Sequence, residues 1–365
     1  MKGNEIVKFR EKLLKWYQLN KRDLPWRNTH DPYRIWISEI ILQQTRVNQG
    51  LDYYLRFVEV FPTIRELASA LEDDVLKLWQ GLGYYSRARN MYKTANIIYQ
   101  KYDGVFPDQY KDLIKLPGIG TYTAAAICSI AYSKPYPVID GNVIRVISRI
   151  FGIDDSFLEA ERKNKIKELA AKLLDHDLPG DYNQAIMEYG AVICKPKSPE
   201  CHNCFYSVNC FAKRNNKVEE LPVKYNKPVL KKRYMNYFVC FDENRSFLVK
   251  QRSMKDIWQG LYDFPLIELD KKMKFSELKN SDEFTKLITN INIFEIIKTD
   301  LIMTQKLSHQ MLEVSFHIID IGNNEINMDK RFINVSLSEF LNYPVPKMIN
   351  KFLQSHLKNY DYRES

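Results

Sequence analysis

The chain has 365 residues, 45% of them hydrophobic, which is enough to bury real cores and excludes a disordered polymer; the length favours two domains over one. With 54 basic against 45 acidic side chains it carries a formal charge of +9, a balance that favours a polyanionic partner because neutralised phosphates release counterions. Its longest apolar run, residues 124–132, is far shorter than the ~18 residues a membrane span needs, and the opening MKGNEIVKFREKLLKWY lacks the apolar stretch of a signal peptide; the expected setting is cytoplasmic, with no membrane partner.

In chain order the pattern is first helical. Val7, Phe9, Leu13, Leu14, Trp16 and Tyr17 recur at helical spacing. Residues 33–47 repeat that pattern after the turn-like Asp31-Pro32, and further helices are expected over 64–79, 86–102, 109–116, 122–132, 142–151, 159–174 and 182–193. Residues 216–232 carry charge and proline without periodicity and read as a linker. Beyond it, 233–241 and 246–251 read as strands around an Asp242-Glu243-Asn244 turn, 301–304 and 311–319 as two more, and the last thirty residues return to helix. The expected layout is multidomain: an all-α domain over 1–215, then an α+β domain over 233–365.

Five stretches carry chemistry. Ser38-Glu39-Ile40-Ile41-Leu42-Gln43-Gln44-Thr45 sets one carboxyl in an apolar helix, where desolvation raises its pKa as a general acid requires. Leu116-Pro117-Gly118-Ile119-Gly120-Thr121 joins two helices by a turn whose glycines allow close approach and whose following helix offers N–H groups to an anion. Asp140, in Val138-Ile139-Asp140-Gly141-Asn142, stands at the mouth of the next helix, and with Asn142 expected to serve as the cap it is free to face a cleft. Cys194, Cys201, Cys204 and Cys210 fall within seventeen residues and need a soft metal in a reducing compartment. Structural zinc and an iron–sulfur cluster both suit four thiolates, though a zinc ribbon would show two Cys-x2-Cys knuckles where this chain has one. Cys128 and Cys240 read as plain core residues. Fifth, residues 257–265, IWQGLYDFP, open a second conspicuous motif in the C-terminal part.

Together these stretches resemble the MutY family of adenine glycosylases, within the helix-hairpin-helix glycosylases that also include endonuclease III; the likeness covers most of residues 5–212. It implies a DNA glycosylase acting in base excision repair, with Glu39 protonating adenine N7, Asp140 stabilising the oxocarbenium-like sugar, and Tyr122 and Asn142 orienting them. It implies a [4Fe–4S] cluster on the four cysteines, shaping a basic loop with Lys195, Lys197, Lys213 and Arg214. The implied partner is double-stranded DNA bearing A:8-oxoG or A:G mispairs, bound by a monomer. By the same resemblance Trp26, Arg27 and Gln184 lie at the adenine pocket, and Gly118 and Gly120 at the phosphate-gripping hairpin. Tyr84 is the wedge that enters the base stack, and Gln44, Thr45 and Leu82 lie near the opposing base. Where endonuclease III has the Schiff-base lysine this chain has Tyr122, so a monofunctional glycosylase is expected. The 257–265 motif is similar to one in the family's Nudix-like domain, but no paired magnesium-binding glutamates follow Pro265, so recognition rather than nucleotide hydrolysis is expected there. The family's Phe-Ser-His lesion reader is matched by Leu307-Ser308-His309, without the aromatic. Two other readings are a thymine-mismatch or oxidised-pyrimidine glycosylase, against which the Glu39 segment and the appended domain speak, and a catalytically silent DNA-binding protein, against which Glu39, Tyr122 and Asp140 together speak.

Overall fold

A computed structural model describes residues 3–154, 156–223, 230–253, 256–287, 294–322 and 332–357. Residues 224–229 of the expected linker and 358–365 of the expected terminal helix lie outside these. The chain divides into two compact units, Met1–Ser69 with Asn90–Asn226, and Ala70–Arg89 with Lys227–Ser365.

Ahead of the first strand the α-helices come in the order α1 (Gly3–Asn20), α2 (Pro32–Leu42), α3 (Val47–Val60), α4 (Ile64–Ser69), α5 (Glu72–Leu78), α6 (Ser86–Lys101), α7 (Tyr110–Leu113), α8 (Thr121–Tyr132), α9 (Gly141–Phe151), α10 (Glu159–Leu173), α11 (Pro179–Val192) and α12 (Phe211–Arg214). Helix α2 starts where proline suits the first turn, and Asp31 caps it by accepting the Tyr33 N–H at 2.9 Å. Being apolar almost all round, it is buried almost all round, from Tyr33 to Ile41 apart from Arg34. It stops at Leu42 rather than near 47, because Gln44 takes a left-handed φ of 60° and the chain re-enters helix at Val47. The single helix expected over 64–79 is two, α4 and α5. The acidic run Glu72-Asp73-Asp74 opens α5, where carboxylates complement a helix N-terminus.

In the first unit, α1 turns Ile6, Phe9, Leu13 and Tyr17 onto α9 (Val143, Val146, Ile147, Ile150), α10 (Ile166, Ala170, Leu173) and α11 (Tyr182, Ala185, Ile186, Tyr189). A side chain buried as fully as Leu13 contributes about 2 kcal/mol. Cys194, Cys204 and Cys210 pack against the edge of this core.

The second unit is built on a mixed sheet of seven strands among the described residues: β1 (Lys231–Phe241), β2 (Phe247–Gln251), β3 (Tyr262–Asp263), β4 (Leu266–Leu269), β5 (Glu295–Lys306), β6 (Gln310–Asp320) and β7 (Ile333–Val335). The path is β3-β2-β1-β6-β5, with β4 on β1 and β7 on β2. Only the central β1–β6 pair is parallel, in register from Lys231 opposite Gln310 to Phe241 opposite Asp320. β1 is accordingly buried without alternation from Met235 onward, as a strand covered on both faces must be. Phe238, Cys240, Ile267, Phe275, Leu278, Phe284, Ile319 and Ile321 form a core on the sheet. Helix α5 joins this unit through polar ties: Lys77 Nζ donates to the Leu341 carbonyl at 2.6 Å, Tyr262 Oη to Asp73 at 3.0 Å, and the Val345 N–H to Gln80 at 3.0 Å. No helix among the described residues is long and apolar enough to cross a membrane.

Candidate active site

Glu39 sits on the buried helix α2 with 8% of its surface exposed. Burial pushes its carboxyl up to about 7; the nearby Asp140 charge adds to this, while a hydrogen bond with Tyr122 and the charge of Arg27 oppose it. Tyr122, at the start of α8, is held well above the ordinary phenol range by burial and by the two carboxyls, so its hydroxyl remains a donor. Asp140 faces the same place but differs in kind. One oxygen accepts the Val143 N–H at 2.7 Å and the other accepts Asn142 Nδ2 at 2.6 Å. Burial raises its pKa above the ordinary aspartate value, and the bonds from Val143 and Asn142 with the Arg145 charge oppose that rise in favour of the ionised form. The expectation that Asn142 caps α9 is thus corrected. Asp140 is itself the cap, and its second oxygen is steered by Asn142. Two carboxyls within electrostatic reach of one another, one poor in donors and one rich in them, have the environments that suit an acid and an anion.

Behind Asn142 stands Arg145, a residue the sequence reading missed. Its guanidinium donates to Asn142 Oδ1 at 2.8 Å and to the carbonyls of Gly141 at 3.2 Å, Gly190 at 2.6 Å and Cys194 at 2.6 Å. One buried cation therefore ties the cysteine loop to the residue that steers Asp140. Arg145→Met strands those acceptors. We expect it to cost at least about 3 kcal/mol in urea unfolding and to slow base excision more than DNA binding, separable by single-turnover and gel-shift measurements.

The other first-unit residues fall in three places. Arg27 contacts Glu188 through two nitrogens, at 2.9 and 2.5 Å, and its charge reaches Glu39. Gln184 is buried on α11 and accepts from Tyr17 Oη at 3.3 Å, while Trp26 is buried edge-to-face on Tyr54. Gln44 and Thr45 follow α2, exposed and half-buried respectively. In the hairpin Gly118 has φ +78°, and a Cβ there would meet Asn90 at 2.8 Å, so only glycine fits. Gly120 leads into α8 and brings no capping side chain, leaving that helix start to an outside acceptor. Asn183 braces the approach to Asp140: it donates to Ser129 at 2.9 Å and the Tyr136 carbonyl at 2.8 Å, and accepts from the Val138 N–H at 3.1 Å.

All four cysteines of the loop are free thiols, and the sulfurs of Cys194, Cys204 and Cys210 are near enough to influence one another. Arg149, 2% exposed, donates to Cys194 Sγ at 3.5 Å and to the carbonyls of Lys195, Pro196 and Leu221. A buried cation aimed at a sulfur, with soft donors around it, suits a thiolate-bound anionic centre. Among the described residues no group of three or more His, Cys, Asp or Glu is gathered as a site for a metal ion. Cys128 and Cys240 are buried, as expected of core residues.

In the second unit Leu82, Tyr84, Ser308 and His309 come together, lining a cavity of about 430 Å³ with Trp258, Arg89 and Lys347. Ser308 and His309 occupy the tip of the β5–β6 hairpin, closed by the Leu307 N–H donating to the Gln310 carbonyl at 2.8 Å. Tyr84 has a left-handed φ of 49° between ordered neighbours; its hydroxyl hydrogen-bonds with Ser308 and its ring lies under Arg87 at 5.5 Å. The turn before it is anchored by Trp79 Nε1, which donates to the Gly83 carbonyl at 3.0 Å.

Comparison with known proteins places this geometry. Residues 37–176 match the model of the HhH-GPD superfamily of base excision DNA repair proteins, and residues 236–355 match that of the NUDIX domain. An adenine DNA glycosylase of Buchnera aphidicola subsp. Acyrthosiphon pisum is 35% identical over 356 residues, spanning 96% of this chain and 98% of the relative. The human adenine DNA glycosylase is 40% identical over 226 residues, 60% of this chain and 41% of that protein. Among solved structures, a thermostable thymine-DNA glycosylase superposes with a TM-score of 0.54 at 30% identity, covering 58% of this chain and 98% of that one. Endonuclease III in a non-covalent DNA complex superposes at 0.51 over 59% of this chain and 98% of that one; at 20% identity this speaks for the fold alone.

Proposed function

The chain belongs to the adenine DNA glycosylase family, and on that premise we propose that it removes adenine paired with 8-oxoguanine, and more slowly adenine paired with guanine, with Glu39 as acid and Asp140 as counter-charge. The observation that carries this is the pair itself: Glu39, pushed to about 7 by burial, beside an Asp140 held by donors. A purine leaves readily only as a neutral base, so the proton of Glu39 passes to adenine N7 as the N-glycosidic electron pair moves into the ring. The sugar left behind gains positive charge at C1′, which the Asp140 carboxylate faces until water adds and an abasic site forms. The Tyr122 hydroxyl, which also points at Met187 Sδ 3.5 Å away, interacts with the Glu39 carboxyl and would orient it. The adenine must first leave the duplex, at a cost of a few kcal/mol that a mispair reduces. Tyr122 offers no amine for Schiff-base chemistry, so strand cleavage is not part of the proposal.

Cys194, Cys201, Cys204 and Cys210 would hold a [4Fe–4S] cluster, which supplies a closed four-thiolate staple for the loop. Arg149, which donates to Cys194 Sγ, would offset part of the charge held there, and Arg145 ties the loop to Asn142. On the second unit, Ser308 at the hairpin tip and Tyr84 beside it are proposed to read the base opposite adenine. The discriminating test is Ser308→Ala. Loss of one specific hydrogen bond, about 1.4 kcal/mol, should reduce the preference for A:8-oxoG over A:G about tenfold in single-turnover excision. An unchanged ratio would remove Ser308 from lesion recognition. The enzyme is proposed to act as a monomer.

A further inference from the structure

Glu188 on α11 belongs to none of the motifs above, yet it is the most enclosed carboxylate beside the site, 1% exposed. Arg22 grips it through Nε at 2.7 Å and Nη2 at 2.6 Å, and its backbone N–H adds a third bond at 3.2 Å. Arg27 grips the same two oxygens from the other side, at 2.9 and 2.5 Å, and donates to the Arg22 carbonyl at 3.2 Å. Arg27 is itself 9% exposed at its side chain, lies 5.7 Å from the Tyr17 ring, and acts on Glu39 through its charge. A buried carboxylate shared by two guanidiniums, one of which also acts on the acid through its charge, does more than hold helices together.

We infer that Glu188 is a positioning residue for excision: it fixes Arg22 and Arg27 in one buried triad and, by offsetting most of the Arg27 charge, limits how far that cation stabilises the Glu39 carboxylate. The inference rests on Glu39 as the acid, proposed above. Arg27 needs to stand near the purine, but a bare guanidinium beside a buried carboxyl would draw it into the ionised form, useless for protonating N7. Glu188 permits the first while limiting the second. The carboxylate is committed to this duty: although burial works against its charge, the bonds from Arg22 and Arg27 prevail and hold its pKa at about 2. The groups facing Glu39 are Tyr122 from α8, Asp140 at the cap of α9 and Arg27; those facing Glu188 are Tyr17, Arg22 and Arg27. Among them only the Arg27–Glu188 pair links the two carboxyls.

The test is the pH profile of single-turnover adenine excision by the full-length enzyme on A:8-oxoG duplex. Wild-type rates should fall as pH rises through about 7, where Glu39 loses its proton. In Glu188→Gln that fall should move to lower pH by about one unit. Glu188→Asp keeps the charge and should leave the fall where wild type has it, whatever happens to the plateau rate. A merely structural role would lower the rate of both variants at every pH without moving the fall, and that result would overturn the inference. If Glu188→Gln does not accumulate as folded protein, Arg27→Gln decides: with most of the Arg27 charge already offset, removing it should raise the fall by less than about half a unit, and a rise of a full unit would overturn the inference. Wild-type enzyme that releases no adenine would instead overturn the glycosylase reading, and this inference with it.

Discussion

Asp140→Asn should abolish adenine excision, by on the order of 10³-fold or more in single turnover, while leaving duplex binding and folding nearly intact. The separation follows from the double duty of Asp140. As the cap of α9 it accepts the Val143 N–H at 2.7 Å, and asparagine caps a helix as well as aspartate does. As the anion it faces the forming positive charge, and an amide cannot replace it. The amide would also set a donor or lose an acceptor opposite Asn142 Nδ2, now 2.6 Å away, which limits the stability cost to about 1 kcal/mol. Loss of binding in proportion to activity would mean that Asp140 supports the fold rather than the reaction.

The second large effect belongs to Glu39→Gln. Removing the general acid should slow excision by about 10²–10⁴-fold, and the same change should stabilise the protein at alkaline pH. Wild-type Glu39 keeps its proton in the folded state up to about pH 7, whereas in the unfolded chain it ionises near ~4.3. Between those values the folded form binds more protons, so stability declines as pH rises, and above pH 7 the loss levels off at about 4 kcal/mol. Glutamine never ionises and escapes that decline. Urea unfolding should therefore show equal stabilities near pH 4 and a variant more stable by about 4 kcal/mol at pH 8. A variant less stable than wild type at pH 8 would show that the Glu39 carboxylate is stabilised in the folded protein, contrary to its role as an acid.

Much of this site is legible in the residues themselves. Glu39 is conspicuous because a charge in an apolar helix must be buried, and α2 buries it. Gly118 is legible because a turn with positive φ pressed against Asn90 admits no side chain. What escapes sequence reading is pairing across distance. Glu188 and Arg22 lie 166 residues apart, and nothing local marks either as the other's partner. Arg145 and Arg149 carried a usable signal, two arginines four apart among the apolar residues of α9, which a buried helix tolerates only when both are bonded. The cap of α9 is ambiguous in the sequence because Asp140 and Asn142, two positions apart, are equally good caps by type, and only geometry separates them. In the second unit the long strands β1 and β6 show in hydrophobicity, whereas β3, β4 and β7 are two to four residues long, too short for alternation to register. That α5 belongs with residues from 227 onward could not be read at all, since its ties, such as Tyr262 to Asp73 and Leu76 against Gly260, join residues far apart in the chain.

The central claim is that this site releases adenine, and that it reads the opposing base. One assay addresses both: single-turnover excision, followed by alkaline cleavage, on duplexes carrying A:8-oxoG, A:G, T:G and thymine glycol. The account predicts cleavage at adenine, fastest opposite 8-oxoguanine and slower opposite guanine, with thymine and thymine glycol untouched. Release of thymine or thymine glycol, or adenine release at the same rate opposite both purines, would contradict it.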